Sequence, residues 1–340
     1  MKLMKRITWI ISIALCLWGL GACQSGPVVT QSTGMAYEVV VVMEKSLWEG
    51  ELGTAVHADL TADVPGLPQS EPAMRVTYVQ TKDFNGLLKL VRNILIVKVD
   101  PTAYTKASVA VEENAWANNQ QVVRLSTPDA ETAVAYLQEN PRFFSDYFTN
   151  VELKRAQTQL RKEYSTVVME HVKQDFGIRL YAPARITFFK DTTDFFWASN
   201  NANTGRTDLI VYSFPYTDPN TFTVDYLVSK RDSVLREHLP GSFPGSFMTT
   251  EKRAPIHYDA ITVGGQYCGV VRGLWRMEGD MMGGPFVSHA QLDEARQRVI
   301  VVEGFVYAPE TDKRNFLRRI EAALFTLELN VNETESQSTK

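Results

Sequence analysis

Cys268 and Ser288 are the side chains of this 340-residue chain that read most readily as nucleophiles, and His257 or His289 could supply the base, though nothing in the spacing demands it. With an Asp to orient the base, either pair would be the core of a hydrolase or transferase. A thiol attacks only as thiolate, in an exposed, electropositive setting. Cys268 lies instead in the apolar run YCGVV, where a buried, inert thiol is the ordinary outcome. The sequence holds no GxSxG, HExxH, GxxxxGK, CxxC or GxGxxG. Its five histidines (His57, His171, His238, His257 and His289) form no local metal pair, and His171, on an apolar helical face, reads as a hydrogen-bonded core residue. Asp191, Asp194, Asn200, Asn201, Asn203 and Asp208 lack the spacing and the bidentate Glu of a calcium loop, so turn chemistry accounts for them. No cofactor, metal or catalytic residue is expected from the sequence.

The most unusual stretch is GLWRMEGDMMGGPFVSH, residues 273–289. Gly279, Gly283 and Gly284 permit backbone shapes that other residues avoid. Trp275, Met277, Met281, Met282 and Phe286 offer an adaptable apolar surface, and Asp280 and His289 offer polar ends. Two readings stand: a loop that closes on a small-molecule ligand or protein partner, or a long β-connection whose side chains plug one end of the core.

A different chemistry belongs to Cys23. Lys2, Lys5 and Arg6 precede an uncharged apolar run, Ile7 to Leu20, and Leu20-Gly21-Ala22-Cys23 follows. This is the layout of a cleaved secretory signal, too short for the roughly 20 residues of a spanning helix. The four residues resemble the lipobox of bacterial lipoproteins, and the resemblance implies cleavage before Cys23 and lipidation of its sulfur and freed amine. Two or more acyl chains anchor a protein stably. Palmitate-type chains on Cys23 would thus moor the protein to a membrane. Gln24-Ser25-Gly26-Pro27 contains no acid, which favours the periplasmic face of the outer membrane of a Gram-negative cell over its surface.

Without residues 1–22 the chain holds 32 basic and 39 acidic residues, because Lys2, Lys5 and Arg6 leave and no acid does. Nucleic acid is excluded as a partner, since affinity there comes largely from Lys and Arg on phosphates. Cys16 leaves with the signal and Cys23 is modified, so Cys268 has no partner for an intramolecular disulfide. Packing must supply the stability.

Pattern reading divides the chain into a signal peptide (1–22), a flexible leash (23–34), a first α+β half ending in a long helix (35–176), a second α+β half (177–329) and a disordered tail (330–340). In the first half YEVVVVM reads as a buried central strand and Ser46 as the cap of a helix to about Leu60. MRVTYVQ and ILIVKV read as strands around the short helix FNGLLKLVRN, Asp129 as a helix cap, and Pro141 to about Asp175 as one helical stretch closed by Gly177. The second half reads as strands at 186–189, 195–198, 208–214, 256–263, 267–277 and 299–307, with helices in TFTVDYLVSKRDSVLREHL and TDKRNFLRRIEAALFTLEL. The fold class is α+β, mixed sheets covered by helices. QQVVRLSTPDAET beside QRVIVVEGFVYAPETD admits two diverged repeats of one unit, or the echo common to α/β chains.

The strings FPYTDPNTFTVDYLVSKRDSVL (214–235), LPGSFPGSFMTTE (239–251), RGLWRMEGDMMGGPFVSH (272–289) and VIVVEGFVYAPETDKRNFLRRIEAAL (299–324) resemble a bacterial lipoprotein family known as domain of unknown function 4837. The resemblance runs over nearly all of the chain after Cys23 and is strongest in the second half. It implies a lipid anchor at Cys23 and an envelope location; no activity is assigned to the family, so no catalytic residue is carried over. The expected function is a lipid-anchored envelope protein that binds a ligand or partner. The alternatives are a hydrolase or transferase assembled from distant residues, and a structural member of an envelope assembly.

Overall fold

The computed structural model describes residues 30–329. Cys23, the signal segment and the tail 330–340 lie outside the described residues. Among the described residues no helix is long and apolar enough to cross a membrane.

The first half is built on β1 (Glu38–Met43). Five consecutive buried residues follow Glu38, because the strand is covered on both faces. After it come α1 (Lys45–Trp48), α2 (Glu51–Leu60), β2 (Arg75–Gln80), β3 (Asn93–Val99), β4 (Ser108–Glu113), β5 (Gln121–Thr127), α3 (Ala130–Glu139) and α4 (Phe143–Lys162). The sheet order is β2-β1-β3-β5-β4. β1 pairs parallel with β2 and β3, and β3 with β5, while β4 is an antiparallel edge. Val39, Val41 and Met43 pack under α2, α3 and α4, and Val40 and Val42 face Phe84 and Trp116 on the other side.

The expected helix from Ser46 is two helices broken at Gly50, and Ser46 caps neither. Gly53 allows the tight corner: a Cβ there would lie 2.0 Å from the Trp48 carbonyl oxygen. FNGLLKLVRN forms a 3-10 turn (Gly86–Leu90) in place of an α-helix. Asp129 caps α3 as its position predicts, accepting from Thr132 N at 2.7 Å.

The expected run from Pro141 to Asp175 also breaks. α4 stops at Lys162, and α5 (Thr166–Phe176) starts afresh where Ser165 Oγ accepts from Val168 N and donates to the Ile186 carbonyl. Gly177, at φ +62°, closes α5 in the left-handed conformation. α4 serves two cores: Phe144 and Phe148 pack on the first sheet, Leu153 and Leu160 on the second. Each such side chain contributes roughly 1.5–3 kcal/mol when fully buried.

The second half contains β6 (Phe188–Thr192), β7 (Phe195–Ser199), β8 (Arg206–Pro215), α6 (Val224–His238), β9 (Phe247–Thr250), β10 (His257–Val263), β11 (Gln266–Glu278), β12 (Gly283–Asp293), β13 (Arg298–Tyr307) and α7 (Arg314–Leu324). Its eight strands run β10-β11-β12-β13-β8-β7-β6, with β9 on β11, and every pairing is antiparallel. One face packs against α5 and α7, the other against α6.

The protein is therefore α+β, with one mixed and one antiparallel sheet. The two halves are not repeats of one unit: the first is a parallel sheet with one antiparallel edge, the second a wholly antiparallel sheet in which β13 pairs with β8. The strings that echo each other place their strands differently, β5 parallel to β3 and β13 antiparallel to both neighbours.

Candidate functional site

Residues 273–289 are not a long loop. They are the ends of β11 and β12, joined by a turn at residues 279–282 that closes with Met277 N donating to Met282 O at 2.8 Å. Cross-strand pairing sets Trp275 opposite Gly284 and Phe286 opposite Gly273. A Cβ on Gly284 would lie 2.1 Å from Val306 O, so glycine alone lets the Trp275 indole lie across it and donate Nε1–H to that carbonyl at 3.2 Å. Gly283 and Gly284, which read as loop flexibility, serve close strand packing instead, while Gly279 takes the turn at φ +76°.

The candidate residues do not converge. Trp275 and Phe286 face α6, whereas His289, three residues on from Phe286, faces the opposite side with its ring edge-on to Phe325 at 4.9 Å. Phe286 is fully buried beneath the Arg231 guanidinium, 3.8 Å from the ring centroid. That guanidinium is held by Glu303 at 2.7–3.0 Å. Asp280 accepts from Met281 N, and Met281 stands wholly in solvent.

Trp275 and Met282 do share a feature. Both line a groove of about 370 Å³, within the roughly 300–1,000 Å³ typical of small-ligand sites. Its floor is Trp275, Met277, Met248 and Phe305. The segment after α6, Leu239 to Ser242, forms one wall. Lys190, Arg206 and His238 are its ionisable lining residues, with no acid among them. Arg206 is paired with buried Asp208 at 3.0 Å, while Lys190 has no acid within ion-pair distance among the described residues and donates to the His238 carbonyl at 3.2 Å. His238 stacks on Phe195, 4.3 Å between centroids. Sequence reading found Trp275, Met277 and Met282 but missed Met248, Phe305 and the cations, which pairing of distant strands brings together.

Residues 165–326 match the family described as domain of unknown function DUF4837, and residues 32–161 match a second, DUF8532. The second half of the chain is covered by the DUF4837 match. The resemblance read over nearly the whole chain thus resolves into two families that meet where α4 gives way to α5. No curated protein matches the chain. A crystal structure from Bacteroides thetaiotaomicron VPI-5482 is similar at 14% identity and a TM-score of 0.23, over 45% of this chain and 44% of that one. The present chain spans less than half the length of that protein.

Every lining residue of the groove belongs to the DUF4837 segment. The nucleophile–base pairs of the same segment are not assembled. Burial pushes the Cys268 thiol up to about 12, and neither nitrogen of the fully buried His289 has a hydrogen-bond partner. Ser288 points to the α6 side and donates to Glu303, and His257 is exposed on β10. His171, expected in the core, is half-buried and paired: its Nδ1 lies 2.9 Å from Asp191 and 4.0 Å from Asp175. These three are the described residues grouped closely enough to share a metal, and both carboxylates face solvent.

Proposed function

We propose that the protein is a binding module of the cell envelope, moored by lipid on Cys23 to the periplasmic face of the outer membrane, and that its groove takes a small amphiphile with an anionic head. The groove's make-up carries this reading: a Trp, Met and Phe floor beside a rim whose ionisable groups are all basic. An acyl or aromatic body would bury against Trp275, Met277 and Phe305, and the head would meet Lys190. Met side chains suit a body of variable shape. The mooring is supported by Leu20-Gly21-Ala22-Cys23 behind its basic and apolar segments.

The test is displacement of anilinonaphthalene sulfonate by dodecanoate. The wild type should bind both saturably and competitively. Met282→Glu, which adds an acid at the half-buried rim, should weaken dodecanoate by about tenfold or more, the effect of one unfavourable charge contact. Absence of saturable binding, or equal binding by the variant, would refute the reading.

A further inference from the structure

A second cavity lies where the two halves meet. It holds about 500 Å³ between α4, β10, β11 and α7. Six charged side chains line it: Arg142, Arg272 and Arg318 against Asp146, Asp259 and Glu321. They are not paired one to one. Arg142 meets Asp146 at 3.3 Å, and Arg272 meets Glu321 at 2.7 Å. Arg272 also reaches Asp259 at 3.8 Å, but that carboxylate is 59% exposed and held by nothing closer.

Arg318 is left over. It is 6% exposed, and among the described residues it makes no hydrogen bond and no ion pair. Its Nε is buried and unpartnered. The nearby Glu321 carboxylate offsets part of its charge without reaching it, being bonded to Arg272 instead, and the face of Tyr37 lies 5.5 Å from ring centroid to guanidinium carbon. That ring already carries Arg314 at 5.8 Å. A ring face offsets only part of the cost of burying a charge. Across the cavity Thr149, on α4, also has a buried hydroxyl without a partner.

We propose that this cavity is a binding site for a small zwitterion, whose carboxylate or phosphate is held by Arg318 and Thr149 and whose ammonium group lies toward Asp259. The planar guanidinium fork suits an oxyanion, and a hydroxyl can donate to the oxygen it leaves free. Equal numbers of basic and acidic lining groups favour a ligand with both signs over a bare anion. The volume exceeds a single oxyanion, and Leu153, Ile261 and Leu317 offer apolar wall to the body between its charges. This site is separate from the groove, with no lining residue in common.

Calorimetric titration of the full chain in detergent tests the proposal with alanyl-alanine, phosphoethanolamine and ethanolamine. Binding of either zwitterion, with none of ethanolamine, supports it, and the one that binds identifies the oxyanion as a peptide carboxylate or a phosphate. No binding of either at millimolar concentration overturns it. Arg318→Met should weaken the bound zwitterion roughly thirtyfold or more, as loss of a buried charge partner does. The unliganded variant should melt at or above the wild-type temperature, because a buried cation that Glu321 and Tyr37 only partly offset is removed. Unchanged affinity, or a lower melting temperature, would make Arg318 a structural residue and overturn the proposal. Thr149→Val gives a second arm that removes one hydroxyl with no protein partner: affinity should fall about tenfold with no change in melting, and wild-type affinity would contradict the assignment.

Discussion

His289 shows what a buried polar side chain without partners does to stability. Burial first, and the charge of Arg272 second, hold its imidazolium well below the usual range, at about 3. In the unfolded chain a histidine titrates near 6.5. Between those values the unfolded state binds the proton and the native state does not, so native stability is lost as pH falls. From pH 7 to pH 4 the loss from this one residue should be about 3 kcal/mol. Denaturant unfolding at the two pH values checks it: His289→Leu should lose about 3 kcal/mol less than wild type over that range. An equal loss in both would mean that His289 is protonated in the native protein. Spacing alone made His289 a polar end of a binding loop. The two-residue period of β12 sends it to the α7 side instead, and nothing short of the strand assignment reveals that.

At the scale of elements, runs and turns were legible, and caps from far away were not. YEVVVVM is a central strand because only a doubly covered strand can be apolar throughout, and Asp129 caps its own helix three residues on. The helix expected from Thr311 starts only at Arg314. Its first, otherwise unpaired N–H groups are met by buried Glu71 of the first half, which accepts from Lys313 N at 2.7 Å and Arg314 N at 2.8 Å. Asp59 does the same for α4, accepting from Phe144 N and Ser145 N at 3.0 Å. Carboxylates at helix N-termini satisfy orphan donors and oppose the helix dipole. Glu71→Ala should therefore lower unfolding free energy by about 1–2 kcal/mol, measured by urea denaturation. A change near zero would show that water replaces the cap at no cost. The same helix hid Arg318: Arg314, Arg318 and Glu321 share one face, which in a lone helix reads as solvated. Here that face is turned toward α4 and all three are buried.

For the whole molecule, α4 and α7 join a parallel α/β half to an antiparallel one, and the two cavities follow from that join and from the antiparallel sheet. The α+β class could be read from alternating strand and helix signals. That the halves differ in topology could not, because strand direction leaves little trace in composition. The functional reading depends on the groove beside the β11–β12 turn accepting an amphiphile. Methyl NMR of methionine-labelled protein, titrated with dodecanoate, tests this most directly. Met248, Met277 and Met282 line the groove, while Met43 and Met74 are buried in the other half. The account predicts saturable shifts of the first three signals and unmoved signals from the last two. Shifts spread over all methionines alike, or none at the three groove residues, would contradict it.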